Sequence, residues 1–129
     1  MSTPLHAIQD HYAASAKGDL AGMLAPLSPD VRWTEMAGFP YAGTYVGPEA
    51  VRENVFDRIT AEWADFQAVP EHFVSEGQEV VAFGTYAGTY RASGKAMAAR
   101  FVHHWTVEGG VVVRFEQYVD THLVASALS

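Results

Sequence analysis

Three turn signals, at Glu76-Gly77, Ser93-Gly94 and Gly109-Gly110, cut the second half of the chain into four stretches rich in β-branched and aromatic residues. Glycine in such pairs supplies the positive φ that tight hairpins need. The stretches, approximately Phe66–Ser75, Glu79–Tyr90, Ala96–Val107 and Val111–Thr121, read as consecutive strands of an antiparallel meander. They run well beyond the usual strand of about 5–6 residues. Gly84 and Gly88 sit inside the second stretch, where glycine permits bulges and kinks. Long, kinked strands predict a strongly curved sheet, and a curved sheet has a concave face to be filled.

The filling comes from the first half. Ser2 or Thr3 can cap a helix that Pro4 opens. Leu5, Ile8, Tyr12 and Ala16 form its apolar stripe, and Gly18 ends it. Asp19 can cap a second short helix through Met23 and Leu24. Val31–Met36 alternates as a strand, with Val31, Trp33 and Glu35 on one face. The segment from Ala37 to Pro48 is rich in glycine and proline and reads as a turn. Pro48 then opens a helix with Val51, Val55, Phe56 and Ile59 on its stripe. Helices first and a meander afterwards is an α+β pattern. A chain of 129 residues fits one domain, 1–129. The sequence YAGTY occurs twice, at Tyr41–Tyr45 and Tyr86–Tyr90. Its flanks do not match, so it is read as coincidence rather than as a structural repeat.

Charge narrows the function classes. Fifteen acidic residues face eight basic ones, and the bases are scattered. No basic stripe exists to track a phosphate backbone or an anionic membrane, so neither nucleic acid nor membrane is an expected partner. The absence of cysteine excludes disulfides, thiolate metal sites and a cysteine nucleophile. The N-terminal residues lack the pattern of a signal peptide, and a cytoplasmic location is expected.

Two polar residues stand on apolar strand faces. Glu35 shares its face with Val31 and Trp33; a carboxylate buried there has its pKa raised toward neutrality, which suits a general base or acid. His103 lies between Phe101 and Trp105 on alternate positions, while His104 points the other way. The two histidines therefore cannot share one metal, and imidazole at 103 can hydrogen-bond a substrate oxygen or move a proton. Gln117 can orient a ligand through its amide. Asp120 and His122 are two ligands without a third, so no metal and no cofactor are expected. Tyr12, Trp33, Phe39, Phe56, Phe101 and Trp105 are the candidate aromatic lining. The glycine loop before Pro48 lacks the residues of a phosphate loop, and no Gly-x-Ser-x-Gly elbow is present.

These pieces, in order, resemble the nuclear transport factor 2-like superfamily, in its ketosteroid-isomerase-like and polyketide-cyclase-like (SnoaL-like) branch. The resemblance rests on Tyr12 to Gly18-Asp19, Asp30-Val31-Arg32-Trp33, Pro40 with Ala42-Gly43, and Gly47–Val51. It continues through Val80–Tyr90, Ser93-Gly94-Lys95, Phe101–Val107 and Gly110 to Thr121. It implies a conical α+β fold, its curved antiparallel sheet wrapped around the N-terminal helices and an internal pocket. It also implies a homodimer through the outer sheet face. Ketosteroid isomerases place a carboxylate base after the first strand and form an oxyanion hole from a tyrosine and a protonated aspartic acid. Carried onto this chain, the base position falls at Thr34, beside Glu35. The tyrosine falls at His11, beside Tyr12, and the aspartic acid at His103. The cyclase-type acid falls near Gln117. The family's catalytic sets are thus not reproduced intact, and the polar pair Glu35/His103 stands in their place.

Three functions follow as expectations. The first is a cofactor-independent isomerase, cyclase or dehydratase acting on a small apolar carbonyl metabolite through Glu35 and His103. The second is a non-catalytic binding protein for such a molecule, and the third a dimerising interaction domain.

Overall fold

Thr3 caps the first helix, α1 (Pro4–Ala16), its side chain accepting from the His6 amide at 3.1 Å. The computed structural model describes residues 3–129, so the alternative cap Ser2 lies outside the described residues. Gly18 adopts φ +68°, and the amides of Gly18 and Asp19 turn back to the carbonyls of Ser15 and Ala14. That reversal is the left-handed helix stop expected of glycine. Asp19 caps α2 (Leu20–Leu24). The buried face of α1 is Ile8, His11, Tyr12 and Ala14; Leu5 is half-buried and Ala16 is exposed. The apolar stripe is therefore rotated relative to the expected one, because His11 finds a polar partner in α2 and can be buried.

Six strands follow: β1 (Leu27–Glu35), β2 (Gly43–Val46), β3 (Trp63–Glu76), β4 (Glu79–Tyr90), β5 (Ala96–Glu108) and β6 (Val111–Val119). They form one curved, unclosed sheet in the order β2-β1-β6-β5-β4-β3. The meander β3 to β6 is antiparallel throughout, as the turn signals require. One pair departs from that pattern, since β6 returns alongside β1 in parallel. The segment expected as an uninterrupted turn contains β2, which pairs with β1 from Arg32↔Val46 to Glu35↔Gly43.

Between β2 and β3 runs a continuous helical stretch: α3 (Pro48–Val51), a π-helical turn (Arg52–Phe56) and α4 (Asp57–Glu62). A π turn widens the helix by one residue and is common at functional sites. Here it sets Val55 and Phe56 side by side against the sheet. The last helix, α5 (Thr121–Ala127), was not anticipated. Asp120, read as part of the final strand's end, accepts from the Leu123 amide and starts a helix instead.

Bulges bend β3 between Ala64 and Gln67 and again between Pro70 and His72. Asp65, inside the first bulge, holds φ +55°. A third irregularity, at Thr106/Val107, shifts β6 so that Val112, Phe115 and Gln117 face inward. Gln117 is sealed in the core and Tyr118 points outward. Gly84 allows close packing across the bend. A Cβ there would stand 2.3 Å from the Val69 carbonyl oxygen and 2.5 Å from the Phe101 ring.

Candidate active site

The concave face of the sheet and the helices enclose a cavity of about 310 Å³, at the lower end of the range of small-molecule sites. β1 contributes Trp33 and Glu35, β4 Tyr86, β5 His103 and Trp105, and β6 Phe115. α1 adds His11 and Tyr12. The π turn adds Val55 and Phe56, and β3 adds Phe66. At the rim stand Ser15, Asp57, Thr60, Asp65 and Arg91.

The walls are aromatic. Trp33 stacks on Phe115 at 3.8 Å between ring centres, and meets Phe56 at 5.4 Å and Trp105 at 5.5 Å edge-on. These offset and T-shaped contacts hold the rings in place. They present a mostly apolar, rigid surface.

Glu35 interrupts that surface. The alternation of β1 buries it with Val31 and Trp33. Its Oε1 accepts a long bond, 3.5 Å, from the Trp33 indole, and its Oε2 has no hydrogen-bond partner. Burial pushes its pKa up from 4.5 to about 8, outweighing the Trp33 bond, which acts in the opposite direction. An unpartnered buried carboxyl oxygen is costly to folding, so this position is set by something other than stability.

His103 is the centre of a relay. Its Nδ1 lies 2.6 Å from the Tyr12 hydroxyl and its Nε2 lies 2.6 Å from the Tyr86 hydroxyl. Trp105 Nε1 donates to the Tyr12 oxygen at 3.1 Å, and Gln117 Nε2 donates to the Tyr86 oxygen at 3.3 Å. The Met36 amide donates to Gln117 Oε1 at 3.2 Å, which fixes the amide's orientation. Burial, reinforced by His11, holds the His103 pKa well below its usual 6.5. Burial likewise raises both tyrosine pKa values, and for Tyr86 the nearby Glu35 charge adds to the rise. At neutral pH the relay is therefore an uncharged chain of donors and acceptors.

Of the residues singled out in the sequence, Glu35, His103, Tyr12, Trp33, Phe56 and Trp105 line the cavity together. Three stand behind the wall. Phe101 backs His103 at 4.0 Å, Phe39 meets Tyr86 at 6.2 Å, and Gln117 reaches the cavity only through Tyr86. Both ring nitrogens of His103 are engaged by tyrosine hydroxyls, so neither is free to bond directly into the cavity. Sequence reasoning missed Tyr86 and gave His11 no role. Alternation along β4 (Val80, Ala82, Gly84, Tyr86) carries the signal for Tyr86, because those residues share the buried face. His104 faces outward, between Glu79 and Glu116 at 3.5 Å from each. Among the described residues no group of three or more His, Asp or Glu side chains could hold a metal ion. No helix among them is long and apolar enough to cross a membrane.

Among curated proteins, none matches the chain in sequence. Solved structures do. An NTF2-like protein from Burkholderia thailandensis is 44% identical over 100% of this chain and 99% of its own, with a TM-score of 0.98. An NTF2-like protein of unknown function from Burkholderia pseudomallei is 31% identical over 100% and 99%, with a TM-score of 0.91. TerC, co-crystallised with polyporic acid, is 29% identical over 98% of both chains, with a TM-score of 0.88. The profile of the SnoaL-like domain matches residues 8–115. That span carries every cavity residue named above, and the chain belongs to the SnoaL-like family.

Proposed function

We propose that this cavity binds a small, mostly apolar carbonyl compound and that Glu35 moves a proton on it without a cofactor. The observation that carries the reading is the juxtaposition at one aromatic-walled cavity of the buried Glu35 carboxyl and two tyrosines whose hydroxyls are hydrogen-bonded to His103. With a pKa near 8, about one Glu35 in ten is ionised at neutral pH. That fraction accepts a proton from carbon next to the carbonyl. The electron pair moves onto the carbonyl oxygen, which a tyrosine hydroxyl stabilises by hydrogen bonding. Returning the proton to a different carbon completes an isomerisation, and the same enolate can close a ring or expel a leaving group. In this reading Glu35 and a tyrosine hydroxyl are catalytic and His103 positions the tyrosines. TerC's co-crystallisation with polyporic acid supports a small organic ligand for the fold.

The test is deuterium exchange. Phenylacetone incubated with the protein in deuterium oxide should exchange its α-protons faster than in buffer, and Glu35→Gln should abolish the excess. Exchange retained by that variant sinks the assignment. A bound ketone that never exchanges favours the binding-protein reading, for which the aromatic lining alone suffices.

A second copy of the chain is the proposed partner for the sheet's outer face. Phe83, Val102 and Tyr118 are cross-strand neighbours there, and Tyr118 is 45% exposed.

A further inference from the structure

Counting protons around the cavity assigns two of its polar groups. A backbone carbonyl only accepts, so the 3.1 Å contact between His11 Nδ1 and the Met23 oxygen requires the proton on Nδ1. A neutral imidazole then presents a bare lone pair on Nε2. Burial keeps the ring neutral by pushing its pKa down to about 4. Nε2 has no polar partner among the described residues, yet the only sealed side-chain polar atom without one is Glu35 Oε2. The His11 lone pair is thus accessible, in a ring that lines the cavity 4.8 Å from Trp105 and 5.4 Å from Tyr12.

The relay presents the opposite polarity. Each tyrosine oxygen already accepts one bond, from Trp105 or from Gln117. Neutral His103 donates to one tyrosine and accepts from the other. The tyrosine that receives the His103 proton keeps its own, and no described residue accepts it. Exchanging the His103 tautomer moves the spare proton to the other tyrosine without consuming it. Both tyrosines line the same cavity.

We propose that the cavity selects a small aromatic ligand bearing both a hydroxyl and a carbonyl: the hydroxyl donates to His11 Nε2 and the carbonyl accepts the spare tyrosine proton. This deepens the function proposed above by naming the substrate class, and it rests on that reading only in taking the cavity as a small-molecule site. His11 is here a specificity-determining residue that touches the ligand.

The experiment is calorimetric titration with three probes, para-hydroxyacetophenone, para-methoxyacetophenone and acetophenone. The hydroxyl compound should bind about tenfold more tightly than acetophenone, the worth of one good hydrogen bond. The methoxy compound should gain nothing, since it has no proton to donate. His11→Phe should bring the hydroxyl-to-acetophenone ratio to about one. A native protein with no preference for the hydroxyl probe, or a variant that retains it, overturns the proposal. Proton–nitrogen correlation spectra of the histidine rings supply a check that needs no variant. They should place the His11 proton on Nδ1, and a proton on Nε2 overturns the assignment. None of these measurements follows proton transfer, so a failure here is distinct from a failure of the Glu35 chemistry.

Discussion

Glu35 and His103 stand level with each other across the sheet, each opposite Gln117 on the strand between them. Two strand spacings separate them by about 10 Å. Because all three residues share the concave face, the carboxyl and the tyrosine relay belong to one site, near enough for the Glu35 charge to raise the Tyr86 pKa.

The acidity of Glu35 should be visible directly. A carbon-detected titration should show one carboxyl with a midpoint near 8, displaced upward by burial, and Glu35→Gln should remove that signal. A base-catalysed rate should rise with pH through the same midpoint. A carboxyl titrating in the ordinary range would show that the cavity is wetter than its walls imply.

The same shift couples to stability. The unfolded chain loses the Glu35 proton at about 4.5 and the folded one at about 8. Stability from the neutral carboxyl is therefore full below 4.5 and declines as pH rises to 8, at roughly 1.4 kcal/mol per unit. Glu35→Gln lacks this penalty. Its unfolding midpoint relative to the native protein should climb across that window and level off above it.

His11 produces the opposite limb. Its folded-state pKa lies below its unfolded value of 6.5, so stability is full above 6.5 and is lost as pH falls toward about 4. His11→Phe should make the acid side of a thermal-midpoint profile shallower, leaving the share that His103 contributes through its own depressed pKa and leaving the alkaline decline in place. An unchanged acid limb would assign it to other groups.

Tyr86→Phe removes the partner of His103 Nε2 and of the Gln117 amide together. Leaving such buried groups unpaired costs about 1–3 kcal/mol, to be read from denaturant unfolding. Tyr12→Phe should cost a similar amount, since it strands His103 Nδ1 and the Trp105 indole.

The outer face has its own test. Tyr118→Glu places a charge beside Val102 without touching the core. If a second copy covers this face, sedimentation should show a dimer for the native protein and a monomer for the variant.

Much of this architecture was legible because strand alternation and glycine turns are local. Val31, Trp33 and Glu35 on one face, and Phe101, His103 and Trp105 on another, follow from a period of two. What escaped was non-local. Neither the parallel pairing of β1 with β6 nor the rotation of the α1 face toward His11 is written in a neighbouring residue. The first needs the whole meander in place, and the second needs the Met23 carbonyl. Tyr86 was overlooked because in isolation YAGTY looks like filler; its importance appears only when β4 is laid against β5. The inward turn of Gln117, by contrast, depends on a bulge whose position only the register reveals.

The parallel β1–β6 pair also sets an order of assembly. β1 is synthesised early, but the strand that flanks it opposite β2 is the last of the six to be made. Until then β1 has an open edge, and open edges invite wrong pairing. Glu35 cannot be enclosed in that interval and keeps the acidity of a side chain in water. The proton-holding carboxyl is thus a property of the finished polypeptide, and a nascent chain that stops before β6 carries an ordinary glutamate.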